Sequence, residues 1–130
     1  MHTVIYMAYG SAKMLFICYP KCTTCQKAKK FLLENNISFI ERDIKQNNPS
    51  KEEIIEFHKK SGVDLKKLFN TSGLLYKELN LKEKLNYMRD EEIYDLLSSN
   101  GMLVKRPIFV FDNLVLFGFK EDKLIEALKK

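Results

Sequence analysis

The sequence contains no tryptophan, few glycines and prolines, and only three cysteines, all of them in one short stretch. Five Gly and three Pro among 130 residues exclude a collagen-like or low-complexity chain. Cysteines confined to positions 18, 22 and 25 cannot form the disulfide framework of a small secreted domain. No apolar run approaches the roughly 20 residues of a membrane-spanning helix, and the first residues lack the basic start of a secretory signal. We therefore expect a cytoplasmic protein with no membrane partner.

Arginine is also scarce, although the chain is basic. The 22 Lys and Arg residues face 17 Asp and Glu, which gives a formal net charge of +5, and only three of the cations are Arg. Lysines such as Lys27, Lys29 and Lys30 occupy the polar side of an amphipathic pattern, which is typical of a solvated helix face. We therefore expect no direct nucleic-acid partner.

The first thirteen residues differ from the rest, because a second methionine, Met14, follows them and opens an apolar strand. We interpret residues 1–13 as an N-terminal extension, which an upstream start or an addition to the natural chain would explain. Residues 14–130 are long enough to bury roughly two thirds of the surface that the unfolded chain exposes. One domain is therefore expected over residues 14–130.

Hydrophobic periodicity predicts an α/β fold. Residues 14–19 are almost wholly apolar, as in a strand that is buried on both faces, and residues 22–35 have helical spacing. A second strand is predicted over residues 38–44, and Ser50 with Glu53 predicts a capped helix start. The first part of the chain is therefore a βαβ unit.

Short helices divided by glycines are predicted for residues 50–100, which form a helical insertion. Residues 108–119 predict a β-hairpin that turns at Asp112 and Asn113, and residues 121–129 predict a last helix. The expected mixed sheet therefore combines a βαβ half and a ββα half.

Cys22, Thr23, Thr24 and Cys25 form a CxxC motif where the first strand has ended and the first helix begins. Unpaired N–H groups at a helix start favour a thiolate, and Lys21 adds a positive charge beside Cys22. Cys25 lies one turn further along and is placed to resolve a mixed disulfide formed by Cys22. A CxxC motif in a βαβ chain therefore indicates redox chemistry.

Two other interpretations of these cysteines are weaker. Zinc would need two further ligands, and Cys18, His2 and His58 supply no second closely spaced pair, so no metal is expected. Two inert buried cysteines would not explain the position of the motif between strand and helix. Cys18 lies within the apolar strand and is interpreted as a small hydrophobic residue.

Arg106 and Pro107 form the second informative pair. A proline that opens a late strand is a place for a cis peptide bond, and the alternative is a trans proline at the start of an edge strand. Arg106 could stabilise a thiolate or hold an oxyanion through two parallel hydrogen bonds, and the alternative is a surface charge.

Five segments carry a resemblance to a known family. They are residues 19–28 (YPKCTTCQKA), 41–44 (ERDI), 69–73 (FNTSG), 105–108 (KRPI) and 118–119 (GF). In this order they resemble the arsenate reductase-like and Spx-type family of thioredoxin (glutaredoxin)-like proteins, over essentially all of residues 14–130. The resemblance implies a thioredoxin-like fold.

The resemblance also implies the members of a site. Cys22 would be the reactive thiol and Cys25 its resolving partner. Pro107 would be cis beside Cys22, and Arg106 would face the site. Lys21, Thr23 and Thr24 would shape it.

The implied activity is that of an arsenate reductase-like thiol-disulfide oxidoreductase. Its electron donor would be glutathione with glutaredoxin, or thioredoxin, and it would be a monomer that needs no cofactor. Family members that reduce arsenate hold the oxyanion with several arginines, whereas this chain has only Arg42 and Arg89 besides Arg106. Lysines stand instead at positions 66, 67 and 120, which predicts weak oxyanion capture.

The alternative is an Spx-type redox-switched transcriptional regulator that binds RNA polymerase. Family members with an internal cysteine pair include such regulators, and they act through a surface instead of through turnover. The FNTSG segment followed by Tyr76 favours the reductase-like branch.

Overall fold

The computed structural model describes residues 14–129, which form two compact units. Residues 14–43 and 106–129 form the first, the sheet unit, and residues 44–105 form the second, the helical unit. The extension predicted for residues 1–13 lies outside the described residues. The assignment of residues 14–130 to one domain stays a prediction.

The order of elements follows the sequence-based expectation. In chain order the strands and α-helices are β1 (Leu15–Cys18), α1 (Thr23–Glu34), β2 (Ile40–Asp43), α2 (Lys51–Ser61), α3 (Leu74–Glu78), α4 (Leu81–Lys84), α5 (Asp90–Ser99), β3 (Ile108–Val110), β4 (Val115–Phe117) and α6 (Glu121–Leu128). Three 3-10 turns, Leu65–Leu68, Leu85–Tyr87 and Gly101–Leu103, lie among the helices of the helical unit.

The sheet unit contains one mixed sheet with the strand order β2-β1-β3-β4. Strand β1 is parallel to β2 and antiparallel to β3, and β3 is antiparallel to β4. Helix α1 connects the parallel pair, as a crossover between parallel strands requires. The expected α/β, thioredoxin-like arrangement of a βαβ half and a ββα half is therefore confirmed.

Burial explains why β1 and α1 hold their positions. Phe16, Ile17 and Cys18 are consecutive and all buried, so both faces of β1 are covered. Helix α1 turns Cys25, Ala28 and Leu32 into the core, at the spacing of one helix face. Full burial of an aliphatic or aromatic side chain contributes roughly 1.5–3 kcal/mol. The start of α1 is thus anchored by the second cysteine of the motif.

The helical unit begins with the predicted capping box. The Ser50 hydroxyl accepts a hydrogen bond from the Glu53 N–H (3.1 Å), and the Glu53 carboxylate accepts one from the Ser50 N–H (2.9 Å). Gly62 ends α2 in the left-handed conformation at φ 69°. Lys51 forms ion pairs with Glu91 and with Asp95 of α5.

The middle of the chain is less regular than its periodicity predicts. Helices α3 and α4 span only five and four residues, and 3-10 turns take the place of longer helices. Asn80 has φ 55°, which interrupts the helical path between α3 and α4. The backbone conformation of Asn80 therefore adds a break between Gly73 and Gly101 that the positions of the glycines do not predict.

The FNTSG segment has a structural role in the helical unit. Phe69 forms a β-bridge with Val104, and the flanking bonds join the Asn70 N–H to Leu103 O (2.8 Å) and the Lys105 N–H to Leu68 O (2.7 Å). These bonds fasten the last residues of the unit to its middle. Within residues 14–129, no helix has the length and apolarity needed to span a membrane.

Candidate active site

Cys22 is the N-cap residue of α1. Its N–H donates to Tyr19 O (2.9 Å), and its carbonyl oxygen accepts the first helical hydrogen bond, from Gln26 N–H (3.0 Å). The Cys22 side chain makes no capping hydrogen bond and is partly exposed. The sulfur therefore lies at a helix start, and it forms no capping hydrogen bond with the unpaired backbone N–H groups there.

The first turn of α1 contains no acidic residue. The other helices of eight or more residues between positions 14 and 129 all begin with acids: Glu52 and Glu53 in α2, Asp90, Glu91 and Glu92 in α5, and Glu121 and Asp122 in α6. Lys21, Thr23 and Thr24 surround Cys22 and are exposed. The positive end of a helix dipole favours a negative charge at the helix start. Because no carboxylate provides that charge in the first turn of α1, an anionic sulfur or substrate can do so.

Cys25 lies on the inner side of the same turn, with 1% of its surface exposed. Its sulfur accepts a hydrogen bond from the Tyr19 N–H at 3.2 Å. A hydrogen bond with the Cys18 thiol and burial raise the pKa of Cys25 far above the usual thiol range, and they outweigh the Tyr19 N–H, which favours the thiolate. Cys25 is therefore held as a neutral thiol.

Cys18 is buried, as predicted, yet its surroundings are polar on one side. Its Sγ lies 3.7 Å from Glu41 Oε2, and Glu41 Oε1 lies 2.9 Å from Lys29 Nζ. The ion pair with Glu41 raises the pKa of Lys29. Cys18, Cys25, Lys29 and Glu41 contribute to the lining of one pocket of about 370 Å³.

Sequence reasoning missed Glu41 and Lys29 as parts of this site. Parallel pairing places Glu41 opposite Phe16, so its side chain lies on the face of the sheet that also carries Cys18. Alternation along the second strand could have suggested the face. The register between β1 and β2, which the sequence does not reveal, was needed to bring Glu41 to the cysteines.

Arg106 and Pro107 are joined by a cis peptide bond, as expected. Pro107 leads into β3, the neighbour of β1, and the Arg106 guanidinium lies 5.4 Å from the centre of the Tyr19 ring. The Tyr19 backbone in turn bonds to Cys22 and to the Cys25 sulfur. Arg106 is thus in contact with the residue that bridges the two cysteines.

The remaining candidates are dispersed. Arg42 is on β2, opposite Ile17, whereas Arg89 precedes α5 in the helical unit. His2 lies outside the described residues, and no group of His, Cys, Asp and Glu side chains within residues 14–129 is arranged to hold a metal ion. All three cysteines are free thiols.

Comparison with known proteins identifies the family. The ArsC family model matches residues 18–127. The chain belongs to the ArsC family. YusI of Bacillus subtilis, an uncharacterized protein, is 52% identical over 113 residues, which cover 87% of this chain and 96% of YusI.

Two further similar proteins are a solved structure and a transcriptional regulator. The crystal structure of an ArsC-family-related protein from Bacteroides fragilis matches with a TM-score of 0.87 and 50% identity, over 89% of this chain and 98% of that one. The global transcriptional regulator Spx of Staphylococcus epidermidis is 29% identical over 111 residues, which are 85% of this chain and 83% of Spx. Proteins named as regulators are therefore among the relatives of this chain.

Proposed function

We propose that this protein is a thiol-disulfide oxidoreductase in which Cys22 is the nucleophile and Cys25 the resolving thiol. The observation that carries the proposal is the contrast between the two sulfurs. Cys22 is partly exposed at a helix start without acids, whereas Cys25 is 1% exposed and kept as a thiol. A nucleophile must be reachable and anionic, and a resolving thiol must wait until the first bond has formed.

Two exchange steps complete the reduction of a disulfide substrate. The Cys22 thiolate attacks one substrate sulfur, a mixed disulfide forms, and the other substrate sulfur leaves as a thiolate. Cys25 then loses its proton and attacks Cys22 Sγ, which forms the Cys22–Cys25 disulfide and releases the second substrate thiol. Two electrons have passed to the substrate, and an external thiol donor, such as glutathione with glutaredoxin, or thioredoxin, returns them.

Arsenate is a weaker candidate substrate than a disulfide. Arginine binds an oxyanion through two parallel hydrogen bonds, and lysine does not reproduce this geometry. In the sheet unit only Arg42 and Arg106 are arginines. The Arg106 guanidinium lies 5.4 Å from the centre of the ring of Tyr19, the residue whose backbone bonds to both cysteines.

Limited alkylation tests the assignment of the nucleophile. Iodoacetamide below one equivalent at neutral pH, followed by trypsin, separates residues 14–21, which contain Cys18, from residues 22–27, which contain Cys22 and Cys25. We expect the label on Cys22 first. A Cys25→Ser variant should trap a mixed disulfide with an oxidised substrate. First labelling of Cys18 or Cys25 would show that the nucleophile is assigned wrongly.

Arg106 is proposed to support the Cys22 thiolate. Arg106→Ala should slow alkylation of Cys22 at pH 6 by about tenfold at most, the effect of one partly exposed charge worth up to about 1.4 kcal/mol. Arg106→Lys should restore the rate, because it restores the charge. Lys105→Ala removes a neighbouring exposed cation and is the matched control. Equal alkylation rates for the two alanine variants would show that Arg106 does not support the Cys22 thiolate.

A second candidate function is redox-switched regulation of transcription through RNA polymerase. The similarity to Spx over 85% of this chain favours it. Under this proposal, formation of the Cys22–Cys25 disulfide changes binding and no substrate is turned over. Turnover of a disulfide with glutaredoxin or thioredoxin, measured beside binding of purified RNA polymerase to the reduced and oxidised protein, separates the two candidates.

A further inference from the structure

Cys18, the third cysteine, has no part in the two exchange steps, although it lies beside Cys25. The Tyr19 N–H donates to Cys25 Sγ at 3.2 Å, and this nitrogen is bonded to the Cys18 carbonyl carbon. Because two backbone bonds of about 1.3 and 1.5 Å separate Tyr19 N from Cys18 Cα, Cys25 Sγ lies at most about 6 Å from that Cα. Cys18 and Cys25 also belong to the same buried cluster and line the same pocket.

We infer that Cys18 is a third redox thiol, which takes over the disulfide at Cys25 and returns Cys22 to its reduced form, with Glu41 as the base that accepts the Cys18 proton. This inference rests on the proposed function, since it begins from the Cys22–Cys25 disulfide. Cys18 Sγ attacks Cys25 Sγ, the Cys18–Cys25 bond forms, and the Cys22–Cys25 bond breaks. The electron pair leaves on Cys22 Sγ, and the Cys18 proton passes to Glu41. No external oxidant or reductant enters this step.

Glu41 is placed for that proton transfer. Its Oε2 is 3.7 Å from Cys18 Sγ, and its other oxygen pairs with Lys29. The side chain is 35% exposed, so a proton taken from the buried thiol can pass on to solvent. The adjoining pocket of about 370 Å³ exceeds by far the roughly 30 Å³ that one water molecule occupies in the liquid.

The transfer changes which sulfur remains free after oxidation. Before it, the free thiol is Cys18, which is 2% exposed and unable to meet a second substrate. After it, the free thiol is Cys22 at the open helix start, and the disulfide is buried. The protein could then bind a second oxidised partner at Cys22 while it stores the first pair of oxidising equivalents.

Tryptic cleavage distinguishes the two disulfides directly, because Lys21 lies between Cys18 and Cys22. The full chain is oxidised with one equivalent of diamide, its free thiols are blocked with N-ethylmaleimide after an acid quench, and it is digested without reduction. A Cys22–Cys25 disulfide closes a ring within peptide 22–27. A Cys18–Cys25 disulfide joins peptide 14–21 to peptide 22–27 and leaves the maleimide on Cys22.

We expect the joined peptides with the label on Cys22, and their loss in Cys18→Ala. If the wild-type protein gives only the ring within peptide 22–27, with the label on Cys18, the transfer of the disulfide to Cys18 is overturned and the proposed function stands. If neither disulfide forms, both are overturned. The decisive measurement uses the wild-type chain and does not depend on the folding of any variant.

The role of Glu41 has its own readout. Glu41→Gln should slow conversion of the ring into the joined form by about tenfold or more at pH 6.5 and lose this effect near pH 9, where hydroxide replaces the base. Glu34→Gln is the matched control, since Glu34 lines the same pocket. The charged and titratable groups that line this pocket with Glu41 are Cys18, Cys25, Lys29, Lys30 and Glu34. Each variant changes one carboxylate of this set and leaves the other groups in place. Identical pH profiles for the two variants would exclude Glu41 as the base.

Discussion

Helix α1 of the sheet unit and helix α2 of the helical unit are similar in length, with 12 and 11 residues, but their N-terminal ends are built differently. Helix α2 begins with a capping box and two acidic residues. Helix α1 begins with a cysteine that forms no capping bond and with no acid in its first turn. Capping bonds stabilise a helix, whereas an open end can hold an anionic sulfur or substrate.

The comparison also concerns what holds each unit together around these ends. In the helical unit, ion pairs of Lys51 join α2 to α5, and the Asn48 side chain, which precedes α2, donates to Ser98 O in α5 at 2.6 Å. In the sheet unit, the segment from Tyr19 to Cys25 is held by the hydrogen bonds of the Tyr19 backbone and by the burial of Cys25. The same residues therefore stabilise the sheet unit and arrange its chemistry.

The largest effect is expected in the helical unit, at Gly101. A Cβ at this position would come 1.9 Å from the Ile44 carbonyl oxygen, which is backbone and cannot turn away. Gly101→Ala should lower the free energy of unfolding by about 3 kcal/mol or more. Urea denaturation followed by circular dichroism measures this.

Gly62→Ala is the control for that substitution. Gly62 has φ 69°, but a Cβ there would meet no atom within 4 Å, so only backbone strain of about 1 kcal/mol is expected. Equal losses for the two variants would show that close approach at Gly101 does not stabilise the helical unit.

The next effect concerns the sheet unit and its buried thiol. Because the folded-state pKa of Cys25 is raised above the unfolded value of about 8.5, the folded protein keeps a proton that the unfolded chain releases. The contribution of this thiol to the free energy of unfolding is fully present below about pH 8.5 and should decrease above it, by about 1.4 kcal/mol per pH unit. Urea titrations between pH 8 and 10.5, compared with a Cys25→Ala variant, measure the difference. A wild type no more sensitive to alkaline pH than the variant would contradict this expectation.

The smallest effect tests the two helix starts against each other. Ser50→Ala should destabilise the protein by about 1 kcal/mol, because it removes the capping bond of α2. Cys22→Ser should stabilise it by about 0.5–1 kcal/mol, because serine can form the bond that cysteine does not form, while the thiol chemistry is lost. Cys22→Ala, with no capping group, separates a capping effect from the mere loss of sulfur. A loss of stability in Cys22→Ser would mean that the open end of α1 does not weaken the fold.

Features that depend on neighbouring residues could be predicted from the amino-acid sequence. They are the buried strand before Cys22, the helix that follows it and the capping box at Ser50, and all three are present in the fold. The cis bond before Pro107, which the residues left open and the family resemblance implied, is present as well. The irregular path through residues 65–89 could not be predicted, because an apolar pattern cannot show where Asn80 adopts a left-handed conformation.

The sequence by itself determined the order of elements and the place of the CxxC motif at a helix start, because hydrophobic periodicity and local capping chemistry act between residues close in the chain. Only the tertiary structure decided what surrounds the cysteines. The register of β1 against β2 places Glu41 beside Cys18, and the pairing of β3 with β1 carries Arg106 to Tyr19. These contacts join residues 23 or more positions apart, and no local pattern specifies which of the many sterically allowed pairings is realised. Packing of the whole core selects the pairing, and the polar neighbours of the thiols follow from it.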